Sequence, residues 1–340
     1  MLRILHDTNF DFIKWWRWAA GLTAAFMALG IASFAITGGV NYSIEFTSGT
    51  LMQLEFTQPA DAGRIRSTLD RAGIHGAEIQ QFGSDREFTV RAQDRSEAAL
   101  QAGAETVAAR IEQALTGEFG ANAYRAVRTE AVGPRVGAEL RRNAAIAMLL
   151  ASLVTLVYLA IRFEWRFGVA AVLSTAHDVL LTLAFIKLAN IEVSLTIVAG
   201  ILTLLGYSGN DTIIIFDRVR ENLKKDRKSS FYDVLNRSIN ETLPRSVLTH
   251  ATTLAATLAL LFFAGEVLRP FAIVMTFGIF VATFSSMYVA SPLLMYIENR
   301  WPRSVEDSHR AGVSHTVGKA EVPTESRTPA KPRKEGLQAR

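Results

Sequence analysis

The chain has 340 residues, 49% of them hydrophobic, and a net charge of only +4 at pH 7. So small a charge argues against a nucleic-acid partner, because such partners are bound through dense clusters of Lys and Arg. The absence of cysteine excludes disulfides and metal–thiolate sites.

The apolar residues gather in runs of about 20, the length that crosses the hydrocarbon core of a bilayer. A cleaved signal peptide is the alternative for the first run, because "SFA" (33–35) resembles a cleavage site. That run is long for a signal peptide, however, and the tryptophans just before it are typical of an interfacial anchor. We therefore predict a polytopic α-helical protein with six transmembrane helices, at residues 18–37, 143–161, 167–187, 193–216, 247–264 and 271–297.

The basic residues predict how these spans are oriented. They concentrate in the N-terminus (1–17), the loop at 162–166, the loop at 217–245 and the start of the tail (298–340). An even number of spans puts all four segments on one side, which the positive-inside rule assigns to the cytoplasm. We expect both termini there, with a disordered tail, because the tail is rich in Pro, Lys, Glu and Ser.

Residues 38–142 lie between the first two spans, and we predict that they form a periplasmic domain. Its pattern is strand, helix, strand, strand, helix, strand, which is the order of a ferredoxin-like α+β fold. Charges of alternating sign are typical of a solvated surface, so we expect binding or mechanical work from this domain and no catalysis. The predicted elements are residues 50–56, 60–72, 77–82, 87–92, 96–115 and 123–132.

Asp211 follows the apolar stretch "VSLTIVAGILTLL" and lies about 9 Å inside Asp217 if the segment is helical. A lone carboxylate at the bilayer centre costs roughly 2.5–3.5 kcal/mol, so it must face protein or water, or be protonated. A structural contact to another helix and a proton-carrying role are both open for Asp211. Asn210 shares its surroundings, and we expect Gly206 and Gly209 to allow close helix packing.

Further polar residues lie in the third, fifth and sixth spans. His177 and Asp178 are titratable groups near the middle of the third span, and each is a candidate for proton transport or for a structural hydrogen bond. Arg245 begins a polar stripe on the fifth, where it either anchors the helix end or reaches towards a carboxylate and lowers its pKa. The sixth span carries a ridge of small residues that suits helix packing, formed by Gly278, Ala282, Ser286 and Ala290.

No recognised nucleotide or metal motif occurs in the sequence: there is no Walker A loop, no phosphate-binding glycine fingerprint and no HExxH. We therefore expect no enzyme activity, no cofactor and no metal site. Energy for any driven process must then come from an ion gradient or a partner, and a proton supplies about 2.3 kcal/mol per 100 mV.

Five motifs in this order resemble the SecF family, whose members are subunits of the bacterial protein-export machinery and relatives of the RND exporters. The most specific is "GYSGNDTIIIFDRVREN" at 206–222. The others are "VGPRVGAEL" (132–140), "AHD" (176–178), "SINETLPRSVLT" (238–249) and "FSSMYVASPLL" (284–294). The resemblance covers nearly the whole chain except the C-terminal tail.

The resemblance implies a bacterial inner-membrane protein in complex with SecD, acting at the SecYEG channel on unfolded polypeptide, with YajC as a further candidate partner. It also implies that the proton-motive force drives late translocation. Asp211 and Arg245 match by position the family residues tied to proton conduction, and Asp178 is a further candidate.

Four residues depart from the family pattern. In "SIEFTSGT", Glu45 replaces an Asp and Ser48 replaces a Gly. Pro244 and His250 each stand where the family usually has Ser. Since proline is tolerated in the first turn of a helix, Pro244 predicts a helix start that would leave Arg245 shallow in the membrane. His250 adds a titratable group beside the polar stripe.

Three functional hypotheses follow. The first is a proton-driven translocation subunit, in which Asp211 exchanges a proton and Arg245 biases its charge. The second is a small-molecule exporter of the RND type, although such pumps have about twice as many spans in one chain. The third is a purely structural assembly subunit, for which neutralising Asp211, Asp178 and Arg245 would change complex abundance and leave proton flux unchanged.

Overall fold

A computed structural model describes residues 8–92, 104–226, 228–265 and 267–302 of the chain. The predicted tail beyond residue 302 and the first part of the predicted helix at 96–115 lie outside the described residues.

Ten α-helices lie within the described residues, and six spans are long and apolar enough to cross a membrane, which confirms the predicted fold class. Five of those spans are α1, α5, α6, α7 and α8. The sixth joins α9 to α10 through a π-helical turn, Ser286–Ala290. In chain order the helices are α1 (Trp16–Thr37), α2 (Ile44–Thr47), α3 (Ala62–Arg71), α4 (Ala104–Phe119), α5 (Pro134–Arg162), α6 (Trp165–Leu188), α7 (Leu195–Lys225), α8 (Phe231–Phe263), α9 (Arg269–Ser285) and α10 (Ser291–Arg300).

The fifth span begins far earlier than residue 247, because α8 starts at Phe231 and runs through Pro244. Its start is capped by Ser230, whose hydroxyl accepts the backbone N–H of Asp233 at 3.1 Å and donates to the Asp233 carboxylate at 2.6 Å. The prediction that Pro244 marks the helix start is therefore wrong. The cap starts the helix nearly four turns before the proline. The missing N–H of Pro244 then costs one internal hydrogen bond.

The loop predicted at 217–245 is likewise mostly helical, since α7 ends at Lys225 and α8 begins at Phe231. Asp226 organises the short connection between them. Its carboxylate accepts hydrogen bonds from the hydroxyl and amide of Ser229, the amide of Lys228 and the guanidinium of Arg237. These bonds, led by that from the Ser229 hydroxyl, hold the pKa of Asp226 below its ordinary value.

The α+β domain lies between α1 and α5 and contains a four-stranded antiparallel sheet in the order β2-β3-β1-β4. This order confirms the ferredoxin-like prediction. One face of the sheet, with Met52 and Val90, packs on Ile65 of α3 and Ile111 of α4. The strands are β1 (Gly49–Phe56), β2 (Glu78–Gln81), β3 (Glu87–Ala92) and β4 (Tyr124–Val132).

Because the six spans alternate in direction, α1 ends, α5 begins, α6 ends and α7 begins on the side of the membrane that carries this domain. We call it the domain side. The opposite ends of the spans lie on the basic side, where Asp217 pairs with Arg162 at the end of α5. That ion pair places Asp217 at the membrane boundary.

The connection from α1 to the domain is tied to the start of α7. Ser43 donates its N–H to the carbonyl of Val193 at 2.9 Å, and Val193 donates back to Asn41 at 2.7 Å. The Glu45 carboxylate accepts the N–H of Leu195, the first residue of α7, at 2.5 Å. A carboxylate at a helix N-terminus is stabilised by the free amides and by the helix dipole.

The same connection packs against α5. A Cβ at Gly137 would lie 2.5 Å from Ser48 Oγ and 3.3 Å from the Glu45 carbonyl, so a larger residue there would displace the Ser48 side chain. Ser48 itself has a φ of 66°, the left-handed region that favours the glycine it replaces in the motif. Residues 41–48, the linker, are thus held between the domain-side ends of α5 and α7.

Candidate functional site

Buried polar side chains form a layer across α6, α7, α8 and the sixth span, near the middle of the membrane. Helical spacing creates this layer: residues three or four apart share one face, so Ser208 and Asp211 lie together on α7, as do Ser246 and His250 on α8. The buried members are Ser174, Asp178, Ser208, Asp211, Ser246, His250, Ser285 and Ser286.

Asp178 is 1% exposed and has a partner for each carboxylate oxygen. Ser208 of α7 donates to its Oδ2 at 2.5 Å, and Nδ1 of the adjacent His177 lies 3.0 Å from its Oδ1. Two partners of this kind compensate the desolvation of a buried carboxylate. The contact between Asp178 and Ser208 therefore joins α6 to α7.

Asp211 is 2% exposed, yet its Oδ2 has no hydrogen-bond partner within the described residues. The nearest charged or titratable contact is His250, whose Nδ1 lies 3.5 Å from that oxygen. The same Nδ1 is 2.7 Å from the carbonyl of Ser246. Since a carbonyl only accepts, Nδ1 must carry a hydrogen, which gives the imidazole a definite tautomer when it is neutral.

Further polar atoms around Asp211 are unpartnered in the described structure. The Ser246 hydroxyl and the Tyr207 hydroxyl are both buried without a hydrogen-bond partner there. The Tyr207 ring meets the His250 ring edge to face, with centroids 5.4 Å apart. The site thus combines a carboxylate, an imidazole and two hydroxyls in a small buried volume, with hydrogen-bonding capacity still free.

Arg245 does not join this cluster. It is exposed on α8 and forms no ion pair with any residue the structure describes. Of the two alternatives, direct contact with Asp211 is therefore not seen, although the charge of Arg245 still acts on that carboxylate from a distance. Successive helical residues point about 100° apart, and α8 turns Ser246 and His250 towards α7. The titratable side chain nearest Asp211 is therefore His250, five residues after Arg245.

Asn210 and Gly206 also lie outside the cluster, exposed on the outer face of α7. A Cβ added at Gly206 or at Gly209 would meet no atom within 4 Å, so no helix within the described residues approaches either glycine closely. Gly206 is exposed on α7, whereas Gly209 is buried.

The ridge of small residues on the sixth span packs closely against neighbouring helices, as its four-residue spacing predicts. A Cβ at Gly278 would lie 2.6 Å from Leu204 of α7, and Ala282 and Ser286 are 1% exposed. Ser285 hydrogen bonds to Ser174 of α6 at 2.9 Å. The sixth span is thereby held against both helices that carry the buried carboxylates.

The π-helical turn Ser286–Ala290 was not expected from the sequence, although Pro292 offers a signal. Proline has no N–H to donate to the carbonyl one turn before it, which loosens the helix there. The Ser291 hydroxyl donates to the carbonyl of Ser286, five residues back, at 3.0 Å. Single π-turns frequently mark functional sites, and this one borders the buried layer.

Sequence reasoning singled out Asp211, Asp178 and His250, but it did not pair His250 with Asp211 or Ser208 with Asp178. A titratable side chain four residues after a serine, inside an apolar run, was the signal for the pair on α8. No group of three or more His, Asp or Glu side chains that could hold a metal occurs among the described residues.

Comparison with known proteins shows which family has this architecture. Residues 111–300 match the model of the C-terminal part of the protein export membrane proteins SecD and SecF, and residues 34–60 match the SecD/SecF GG motif. The chain belongs to the SecD/SecF family. The GG-motif match contains the linker, and the longer match contains the entire buried layer.

Several relatives are named protein translocase subunit SecF. One from Gemmatimonas aurantiaca is 67% identical over 89% of this chain and 91% of its own length. One from Escherichia coli O157:H7 is 38% identical over 84% of this chain and 87% of its own. Membership in the SecD/SecF family and six apolar helices make the chain a multi-pass membrane protein of the protein-export machinery.

A solved structure of SecDF, a translocon-associated membrane protein from Thermus thermophilus, matches with a TM-score of 0.75 at 38% identity. The match covers 88% of this chain but 40% of the SecDF chain. A second SecDF structure, described as a super-membrane-facing form, matches with a TM-score of 0.62.

Proposed function

We propose that the chain is an auxiliary subunit of the Sec machinery that uses the proton-motive force, through Asp211, to move unfolded polypeptide across the bacterial inner membrane. The observation that carries the proposal is the buried carboxylate of Asp211, with one oxygen unpartnered and the His250 imidazole 3.5 Å away. A buried acid with free hydrogen-bonding capacity can take up and release a proton without first breaking a hydrogen bond at that oxygen.

A change of charge at Asp211 would alter which helix arrangement is stable. The ionised carboxylate favours a nearby imidazolium and free hydroxyl donors, whereas the neutral acid tolerates an apolar neighbour. Because Asp211 is 2% exposed, a proton reaches it only when α7 and α8 move apart or rotate. Proton transfer and helix movement are therefore linked, and a gradient of 100 mV supplies about 2.3 kcal/mol per proton.

In this proposal the linker transmits movement of α7 to the α+β domain. Glu45 is hydrogen bonded to Leu195 at the start of α7, and Ser43 to Val193, two residues before it. Displacement of that helix end therefore pulls on the linker. In this proposal the domain lies in the periplasm, where it holds or pulls the emerging polypeptide. The basic side, with both termini, is then cytoplasmic.

Partner subunits complete the site in this proposal. Arg245 and Asn210 are exposed on spans of this chain, and a polar group facing lipid is costly. A SecD partner would cover such groups, as the longer SecDF chain suggests. SecYEG and YajC are the further partners proposed, and the driving force requires no nucleotide site.

The decisive experiment is proton flux into vesicles that contain this chain and its SecD partner, with Asp211→Asn compared with wild type. We expect flux and gradient-dependent export to be lost while the complex stays intact. The matched control is Asp217→Asn, since Asp217 is paired with Arg162 at the membrane boundary and should retain flux.

Full gradient-dependent export by Asp211→Asn would overturn the proposal. A fall in complex abundance with unchanged flux per complex would instead identify a structural assembly subunit.

A further inference from the structure

A cavity of about 760 Å³ lies between α1 and α5 on the domain side, with α6 and α7 as its floor. Its volume falls within the range of pockets that hold small organic ligands. The walls are apolar: α1 contributes Met27, Ile31 and Phe34, and α5 contributes Ala144 and Met148. The cavity shares no residue with the polar layer around Asp211.

The depth of the cavity matches one leaflet of a bilayer. Met27 lies ten residues before the end of α1 at Thr37, which corresponds to about 15 Å along a helix. The hydrocarbon core is about 30 Å thick, so the cavity runs from the domain-side boundary to the bilayer midplane. Ile31 and Phe34 are 71% and 54% exposed, which leaves the groove open to lipid between the two spans.

Two cations mark the domain-side end of the cavity, and its lining contains no acidic residue. Arg141 lies two turns into α5, and Lys187 is the penultimate residue of α6. Lys187 donates to the carbonyl of Gly39, but neither cation forms an ion pair with a carboxylate in the part of the chain that the structure describes. Arg and Lys at this level are suited to a phosphate group.

We propose that this cavity binds an anionic phospholipid of the domain-side leaflet. One acyl chain lies between α1 and α5, and the headgroup phosphate is held by Arg141 and Lys187. Charge complementarity selects this ligand, because the apolar length and the cationic end reproduce the two parts of a phospholipid in the right order along the membrane normal.

The site also touches the linker, which gives the lipid a mechanical consequence. Val40, Tyr42 and Phe46 line the cavity on the side of the α+β domain. A bound lipid would therefore contact the segment that joins α1 to the domain and is tied to the start of α7.

Photo-crosslinking tests the occupant in the full chain, in membranes that contain its SecD partner. A photoreactive phenylalanine analogue at Phe34, inside the cavity, is compared with the same analogue at Ile36, which is 83% exposed and does not line it. We expect phospholipid adducts at both positions, with anionic headgroups enriched only at Phe34. A protein adduct at Phe34, or the same headgroup composition at both positions, would overturn the proposal.

Charge variants test the headgroup contact in vesicles of equal phosphatidylglycerol and phosphatidylethanolamine. Arg141→Gln and Lys187→Gln should each lower the anionic enrichment at position 34 about five-fold, the factor that corresponds to 1 kcal/mol per cation. Arg142→Gln is the matched control, because Arg142 is exposed and does not line the cavity. Equal enrichment in all three variants would contradict the assignment of the two cations.

Discussion

Asp178 and Asp211 are both buried carboxylates in the middle of the spans, but their surroundings differ. Asp178 has a partner on each oxygen, from Ser208 and His177. Asp211 has an oxygen without a hydrogen bond in the described structure and a histidine at 3.5 Å. The difference teaches that burial alone does not identify a proton carrier, since a carboxylate can be buried and fully engaged in holding two helices together.

The largest expected effect comes from removing the satisfied carboxylate. Asp178→Ala strands the Ser208 hydroxyl and the His177 imidazole, and each stranded group should cost about 1–3 kcal/mol of unfolding free energy. Asp178→Asn keeps an acceptor for Ser208 and should recover part of that loss. The thermal unfolding midpoint of the purified protein in detergent measures both variants.

The distinction between a structural Asp178 and a proton-carrying Asp211 would be wrong if Asp178→Asn folds with wild-type stability yet abolishes proton flux. Asp178 would then carry protons as well, and its hydrogen bonds would be a feature of one state of the cycle.

An intermediate effect is expected where the sixth span packs on α7. Gly278→Ala places a Cβ 2.6 Å from Leu204, and overpacking of this kind costs about 1–3 kcal/mol. Gly206→Ala is the matched control, because its Cβ meets no atom within 4 Å and alanine favours the helix by about 1 kcal/mol. Thermal unfolding should therefore shift in opposite directions, and equal shifts would show that α7 is not tightly packed at Leu204.

The smallest effect is expected at His250, where a change should alter the pH dependence of flux more than its maximum. The His250 Nδ1 lies 3.5 Å from Asp211 Oδ2, so the imidazole influences how readily that carboxylate exchanges a proton. His250→Ser installs the residue usual in the family and should change the pH profile of flux while retaining flux. Flux profiles measured in vesicles from pH 5 to 9 test this, and identical profiles would remove His250 from the mechanism.

The pattern of the sequence was sufficient for much of the fold. Alternation in "EFTVRA" predicted β3 at its observed bounds, and the four-residue ridge beginning at Gly278 was predicted to pack. Such periodicities report which face of an element is buried. The extent of α8 was missed because Pro244 predicted the helix start, whereas Ser230 caps the helix fourteen residues earlier.

The candidate site was predicted in part. The cost of a carboxylate among apolar residues marked Asp211 from composition alone. Whether Arg245 contacts Asp211 stayed open, because a helical stripe gives relative directions on one helix but not its rotation towards a neighbour. The rotation of α8 depends on packing along α7, and it turns His250 inward and leaves Arg245 exposed.

By itself, then, the sequence determined six spans, an α+β domain and two carboxylates that are costly to bury. These follow from the length of the apolar runs, from periodicity and from the free-energy cost of burying charge. Only the tertiary structure decided which carboxylate is satisfied, because hydrogen bonds between helices depend on distances that no single helix contains. The 2.5 Å contact from Ser208 to Asp178 and the unpartnered oxygen of Asp211 are properties of the packed bundle.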